Sequence, residues 1–184
     1  MELTFLPAYF STRFWVEEPA QSLTEFGVIL SGFATTGQVW DAPRNRQSDL
    51  ALESLLRSHS QCILVRLIGY SPSLDHAEPS WLVDLNCQEG CRIGVEFQQD
   101  ALYSVEAGEL FVVDCQDPAK RAYVGRFSDR LDWLDSETMR KCLQGDGPVR
   151  FGALASLPPI HHGCDESGIL GIFRGDWNIP VLDG

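Results

Sequence analysis

Long apolar runs are missing from this chain. The longest, Cys62 to Ile68, is interrupted by Arg66 and falls far short of the roughly 20 residues that a membrane-spanning helix needs. Basic charge is scarce as well: 14 Lys and Arg face 26 Asp and Glu, for a net charge of −12. The deficit is concentrated in residues 1–117, which hold 6 basic and 17 acidic side chains, against 8 and 9 in residues 118–184. With no basic patch to meet phosphates, nucleic acid and membrane surfaces are excluded as partners. The first residues, Met1-Glu2-Leu3-Thr4, lack the basic segment and apolar stretch of a secretion leader, which predicts a cytoplasmic protein. In that compartment the six cysteines (62, 87, 91, 115, 142 and 164) are expected as thiols, without disulfides. Also absent are a Walker loop, a GxGxxG turn after a strand, HExxH and GxSxG, so the commonest catalytic classes lose their support and no cofactor is expected.

What is present fits one globular domain: 184 residues, 44% apolar and 22% charged. Residues 8–17 alternate loosely between aromatic and polar and stop at Glu18-Pro19, predicting a strand. Residues 26–35 are β-branched and aromatic, predicting a largely buried, central strand. Leu52, Leu55, Leu56 and His59 then recur at helical spacing, predicting a helix over about 42–59 with Asp41 as N-cap. Projected back, the same stripe carries Asn45 and Ser48 or Asp49, so the inward face turns polar near its start. Residues 62–70 and 80–86 predict an antiparallel pair of strands around a turn-rich loop. Asn86-x-x-Glu89 resembles a capping box and opens a second helix, in which Gly90 and Gly94 share a face and imply close approach to the sheet. Two short strands follow around Glu106-Ala107-Gly108-Glu109.

This order, ββαββαββ through residue 115, predicts an α+β fold: an antiparallel sheet with two helices on one face, in the ferredoxin-like split βαβ order. Residues 1–117 form the α+β domain. Residues 118–184, rich in Gly and Pro, form an irregular C-terminal extension docked on it, with a strand near Tyr123–Phe127 and a short helix from Ser136 to Leu143.

Chemistry has few footholds. Cys87 and Cys91 at i, i+4, with His161, His162 and Cys164, have the ligand types of a zinc site but not the spacing of a familiar one, so buried thiols and a polar loop are the simpler reading and no metal is expected. Cys164 beside the two histidines would need an oriented base to act as a nucleophile. The Thr- and Gly-containing loop before residue 42, with Thr36, Arg44 and Arg46 alongside, could receive an anion at the helix start. Against this, Asp41 can occupy the same donors.

These residues resemble a family. A strand, the run Ala34-Thr35-Thr36-Gly37, an Asn opening a helix that carries Leu52 and Leu56, Glu78-Pro79-Ser80-Trp81 opening a strand, and Phe97-Gln98-Gln99-Asp100-Ala101 ahead of Gly108 are together similar to the bacterial domain-of-unknown-function 3293 family over roughly residues 8–115. Members carry TA-x-NP and FGQ-x-A runs, the first only partly kept here. The resemblance implies a small cytoplasmic bacterial domain without an established activity.

Asn45, Glu78 and Gln99 are singled out by both readings. Either they form a hydrogen-bond network that pins the helices to the sheet, or they line one pocket for a small polar ligand. Two functions follow: a non-catalytic, regulatory module binding a small ligand or a protein partner, or an enzyme acting on a small polar substrate with Glu78 as acid/base and Asn45 and Gln99 as orienting groups.

Overall fold

The computed structural model describes residues 5–17, 23, 25–35, 38–59, 63–71, 76–135, 137, 139–140, 163–164 and 170–171. A short helix α1 (Pro7–Ser11) leads into β1 (Arg13–Glu17) and β2 (Phe26–Leu30). Helix α2 (Ala42–His59), strands β3 (Leu64–Ser71) and β4 (His76–Val83), and helix α3 (Cys87–Glu96) follow. Then come β5 (Ala101–Glu106), β6 (Glu109–Asp114), β7 (Arg121–Arg126) and, after one 3-10 turn, β8 (Leu131–Leu134). A separate two-stranded ribbon pairs β9 (Gly163–Cys164) with β10 (Leu170–Gly171).

Strands β1 to β8 make one sheet in the order β7-β6-β5-β2-β4-β3-β1-β8. Every neighbouring pair is antiparallel except β1 and β8, which run parallel from Phe14↔Leu131 to Glu17↔Leu134. The ends of this sheet cannot lie far apart. Seven strand spacings would separate the edges of a flat sheet by roughly 34 Å, yet the five Cα steps from Arg126 to Leu131 span at most about 18 Å. The sheet therefore curls on itself into a half-barrel.

The ferredoxin-like antiparallel sheet expected from the sequence is thus overturned. The sheet is mixed and eight-stranded, and both of its edges come from residues beyond 117. The reason is visible at β8, where Arg13 donates two hydrogen bonds to Asp132 (2.7 and 2.9 Å) and the Tyr70 hydroxyl donates a third. One carboxylate thereby ties β1, β3 and β8 together. The guanidinium beside Asp132 is held further into its charged range, while burial, and then Asp132, push the Tyr70 phenol above its usual range. The helix expected from Ser136 is described only at Glu137, Met139 and Arg140, with Met139 buried beside Trp15 and Tyr70.

Curling gives the sheet two unlike faces. Inside, alternate residues of the strands fill the concavity with one another: Phe14, Ile29, Leu67, Leu82, Tyr103, Leu110, Val124 and Leu131 belong to one cluster that needs no helix from the outer layer. Outside, Val28, Leu30, Trp81, Val83, Leu102 and Val113 pack against Leu52 and Leu56 of α2 and Cys91 and Ile93 of α3. Asn86 is the N-cap expected of it, its Oδ1 accepting from the Glu89 N–H (2.9 Å), and Glu89 answers through its side chain, with Oε2 accepting from Asn86 Nδ2 (3.2 Å) where a full capping box would use the Asn86 backbone N–H. The two helical glycines do face the sheet: a Cβ on Gly90 would lie 2.8 Å from Val28 Cγ2. Helix α2 is fixed by more than its leucines, because Arg66 on β3 grips Asp49 with two hydrogen bonds (2.9 and 2.6 Å) while lying 4.3 Å from the Trp81 ring centre.

Two sequence expectations are shortened. Residues 8–17 are not one strand: Pro7 suits the first turn of a helix, and the Ser11 and Thr12 hydroxyls both donate to the Ala8 carbonyl and end it. Likewise β2 stops at Leu30, and residues 31–35 leave the sheet as a loop.

Candidate functional site

The departure of β2 opens the site. Strand β4 keeps β2 as a neighbour only through Leu30↔Trp81, so Pro79 and Glu78 lie beyond the last pair. Proline suits this place, since its missing N–H faces a side where no strand remains to receive it. Its carbonyl accepts from the Ser31 hydroxyl instead (3.1 Å). The gap becomes a cavity of about 260 Å³ at one end of the concave face. Phe14, Ile29 and Tyr103 continue the inner core as its floor, Tyr9 and Thr12 at α1 cover it, and Glu78 and Ser80 enter from β4. Glu78 reaches this side because it shares strand parity with Ser80 and the inward Leu82.

Opposite β4 the wall is the loop after β2, held from two directions. Asn45, buried on α2, accepts from the Ala34 N–H (3.0 Å) and donates to the Trp40 carbonyl (3.4 Å). Gln99, buried after α3, donates to the Phe33 carbonyl (2.6 Å). Gln99 can do so because α3 ends in a Schellman turn: Gln98 takes φ 58°, its N–H bonds the Val95 carbonyl (3.1 Å), and the Gln99 N–H bonds the Gly94 carbonyl (2.8 Å). Thr35 adds a third tether, donating to Asp100 Oδ2 (3.0 Å) and accepting from the Asp100 N–H (3.2 Å). Gly32 completes the fit, as any Cβ there would meet the α2 backbone at Asp49 Cα, 2.7 Å away.

The residues singled out from the sequence therefore divide. Glu78 and Gln99 line the same cavity. Asn45 stands behind its wall, as a tether. Arg44 is exposed and stacks 3.9 Å from the Trp40 ring centre, while its N–H is taken by Asp41 Oδ1 (2.9 Å). The Asp41 cap thus holds a donor that an anion would need. Thr36 lies outside the described residues, as do His161 and His162. What sequence reading missed is the aromatic and hydroxyl lining: Tyr9, Thr12, Ser80 and Tyr103. A signal for two of them was available in the strand parity of Ser80 with Leu82 and of Tyr103 with Val105.

Burial pushes the Tyr103 phenol above its usual range, so it stays a neutral donor, and its hydroxyl donates a hydrogen bond to the Tyr9 carbonyl (3.0 Å). Away from the cavity, Cys87 and Cys91 meet Cys115 between α3 and the end of β6. All three are free. Burial, and then Cys87, push the Cys91 thiol up to about 12, and burial, then Cys91, push Cys115 up as well, which suits packing more than reactivity. Among the described residues no group of His, Cys, Asp or Glu is arranged to hold a metal, and no helix is long and apolar enough to cross a membrane.

Fold and site together define a mixed α/β half-barrel with a polar-mouthed cavity at one end. Residues 33–102 match the family described as Protein of unknown function (DUF3293), so the family resemblance holds over this segment, narrower than the span read from the sequence. It runs from the tethered loop through α2, β3, β4 and α3 into β5, and so contains Asn45, Glu78 and Gln99. No curated protein and no solved structure matches the chain significantly.

Proposed function

We propose that the protein is a non-catalytic module that binds a small molecule in the cavity at the open end of the half-barrel. The observation that carries this reading is the wall: Asn45 on α2, Gln99 after α3 and the loop's own Thr35, bonded to Asp100, are spent on holding one loop against the mouth of a preformed cavity. Keeping such a cavity open forgoes packing that the inner core would otherwise gain, and mouths of curled or closed sheets are common ligand sites. Binding is favoured over catalysis because no His, Cys, Lys or second carboxylate accompanies Glu78 among the described lining residues, and the Tyr70 and Tyr103 hydroxyls are already donated to Asp132 and the Tyr9 carbonyl.

The test is a fragment mixture of small polar compounds titrated into the full chain and followed by NMR. Saturable shifts at the Gln99 side-chain amide and Tyr103, lost in an Ala34→Phe variant that fills the mouth, are expected. Shifts that survive Ala34→Phe refute the cavity as the site. Turnover of a bound compound that disappears in Glu78→Gln replaces the module with the enzyme reading, in which Glu78 is the acid/base.

A further inference from the structure

We infer that the ligand of this cavity is a neutral hydrogen-bond donor, an apolar body carrying an N–H that it gives to Gln99 Oε1; the inference rests on the cavity being a binding site.

The donors of the lining are already in use. The Thr12 hydroxyl donates to the Ala8 carbonyl (3.0 Å), Ser31 to the Pro79 carbonyl (3.1 Å), Thr35 to Asp100 Oδ2 (3.0 Å), Tyr103 to the Tyr9 carbonyl (3.0 Å) and Tyr70 to Asp132. The backbone of the loop is committed in the same way. The Phe33 N–H goes to Ser31 Oγ (3.1 Å) and the Ala34 N–H to Asn45 Oδ1 (3.0 Å), while Pro79 across the gap has no N–H to offer. Ser80 is held most loosely, 3.5 Å from the Glu78 carbonyl. The Tyr9 phenol stands on the covering helix and the Gln38 amide on the exposed rim. Apart from Gln99, no further side-chain donor lines the cavity among the described residues. A ligand that offers acceptor oxygens would find few protons there, whereas one that offers protons would find lone pairs.

Gln99 supplies the second, independent observation. Its Nε2 faces two carbonyls, those of Phe33 (2.6 Å) and Phe97 (3.4 Å). A carbonyl can be met only by the N–H end of an amide, so these partners fix which way the side chain is turned. Oε1 is the end left over. It accepts no hydrogen bond from a described residue, although Gln99 is only 8% exposed, and it keeps contact with solvent. Because so buried a residue lines the cavity, the solvent at Oε1 is that of the cavity. An N–H brought to this oxygen replaces the bond to water that it displaces; a carbonyl or carboxylate oxygen in the same place sets lone pair against lone pair and leaves Oε1 unpaired. The floor of Phe14, Ile29 and Ala101 gives the rest of the ligand an apolar bed.

Probes of one shape separate the donor from the body that carries it. Indole, which has an N–H, is compared with 1-methylindole, in which a methyl group replaces that proton, and with 2-indanone, which presents a carbonyl from a ring system of similar size. Each is titrated into the full chain, with glutamine labelled at the side-chain carbonyl carbon and followed by NMR. Indole is expected to bind at least fivefold more tightly than either analogue and to move the Gln99 Cδ resonance downfield, as an amide oxygen that gains a hydrogen bond requires, while the two analogues leave it in place. Ser80→Ala removes the loosely held hydroxyl and should leave the preference for indole within twofold. An analogue that binds at the cavity within fivefold of indole overturns the donor inference and leaves the cavity reading standing. A preference for indole without the Gln99 Cδ shift, or one that collapses in Ser80→Ala, overturns the assignment to Gln99. Should indole shift no resonance of the cavity, the inference also falls, and the fragment mixture with Ala34→Phe decides the cavity reading separately.

Discussion

Gly94 gives the sharpest test of how α3 sits on the sheet. A Cβ built there would lie 2.6 Å from Cys115 Sγ and 3.6 Å from Cys115 Cβ. Gly94→Ala should gain about 1 kcal/mol in helix propensity. It also forces a methyl group into a sulfur atom already packed beside Cys91, and overpacking of this kind costs about 1–3 kcal/mol. At 2.6 Å the cost belongs to the upper part of that range, so the single variant should lose about 1–2 kcal/mol. Cys115→Ala removes the obstructing atom and leaves the two Cβ atoms at an ordinary 3.6 Å. Alone it should cost about 1–2 kcal/mol, for the lost burial of one sulfur and the small void left behind. On that background, Gly94→Ala should become neutral or stabilising by up to about 1 kcal/mol. The coupling is then about 2 kcal/mol and reverses the sign of the effect. Urea unfolding of the four proteins followed by circular dichroism measures it. If Gly94→Ala costs the same in both backgrounds, the sulfur is not what makes a glycine necessary, and the close approach of α3 at this point is wrong.

Three further outcomes are expected. Asp132→Ala strips the shared acceptor from Arg13 and Tyr70; because Arg13 retains 31% side-chain exposure, the loss should be about 2–3 kcal/mol, below the range for a fully buried pair, and an unchanged denaturation midpoint would contradict the pinning of β8. Asn45→Ala should cost about 1–3 kcal/mol by leaving the Ala34 N–H without its acceptor, and hydrogen exchange at Ala34 should rise, whereas Asn45→Asp, which keeps an acceptor, should restore protection there. Alkali should destabilise the fold: Cys91 moves from 9.0 to about 12 on folding, and Tyr70 and Tyr103 also move upward, so above pH 9 the unfolded chain releases protons that the folded chain keeps. Stability should then be level with respect to these groups below pH 9 and fall above it by up to about 1.4 kcal/mol per pH unit for each group past its unfolded value, the Cys91 and Cys115 thiols from about pH 9 and the Tyr70 and Tyr103 phenols from about pH 10; Cys91→Ala should lessen the decline that begins near pH 9 in a series of melting curves, and curves that do not change up to pH 11 would contradict it.

Local features could be read from the residues because their causes are local. The leucine stripe set α2 at 42–59, Asn86 and Glu89 set the start of α3, and Ala107-Gly108, at φ 53° and 78°, turned β5 into β6. The polar start of the α2 stripe was real too, since Asn45 and Asp49 are both buried. Their partners were not legible. Asn45 holds Ala34 and Asp49 holds Arg66, and nothing in a helical stripe says which loop or strand will pass it. The same limit explains the fold class. Whether the sheet ends flat or curled depends on a link of a few residues between its two outermost strands, and on one ion pair joining residues 13 and 132. Those are constraints on the whole chain, invisible to periodicity. The cavity arises in the same way. Strand parity sends Glu78 and Ser80 inward, but space for a ligand exists beside them only because α2 and the end of α3 draw the chain after Leu30 out of the sheet.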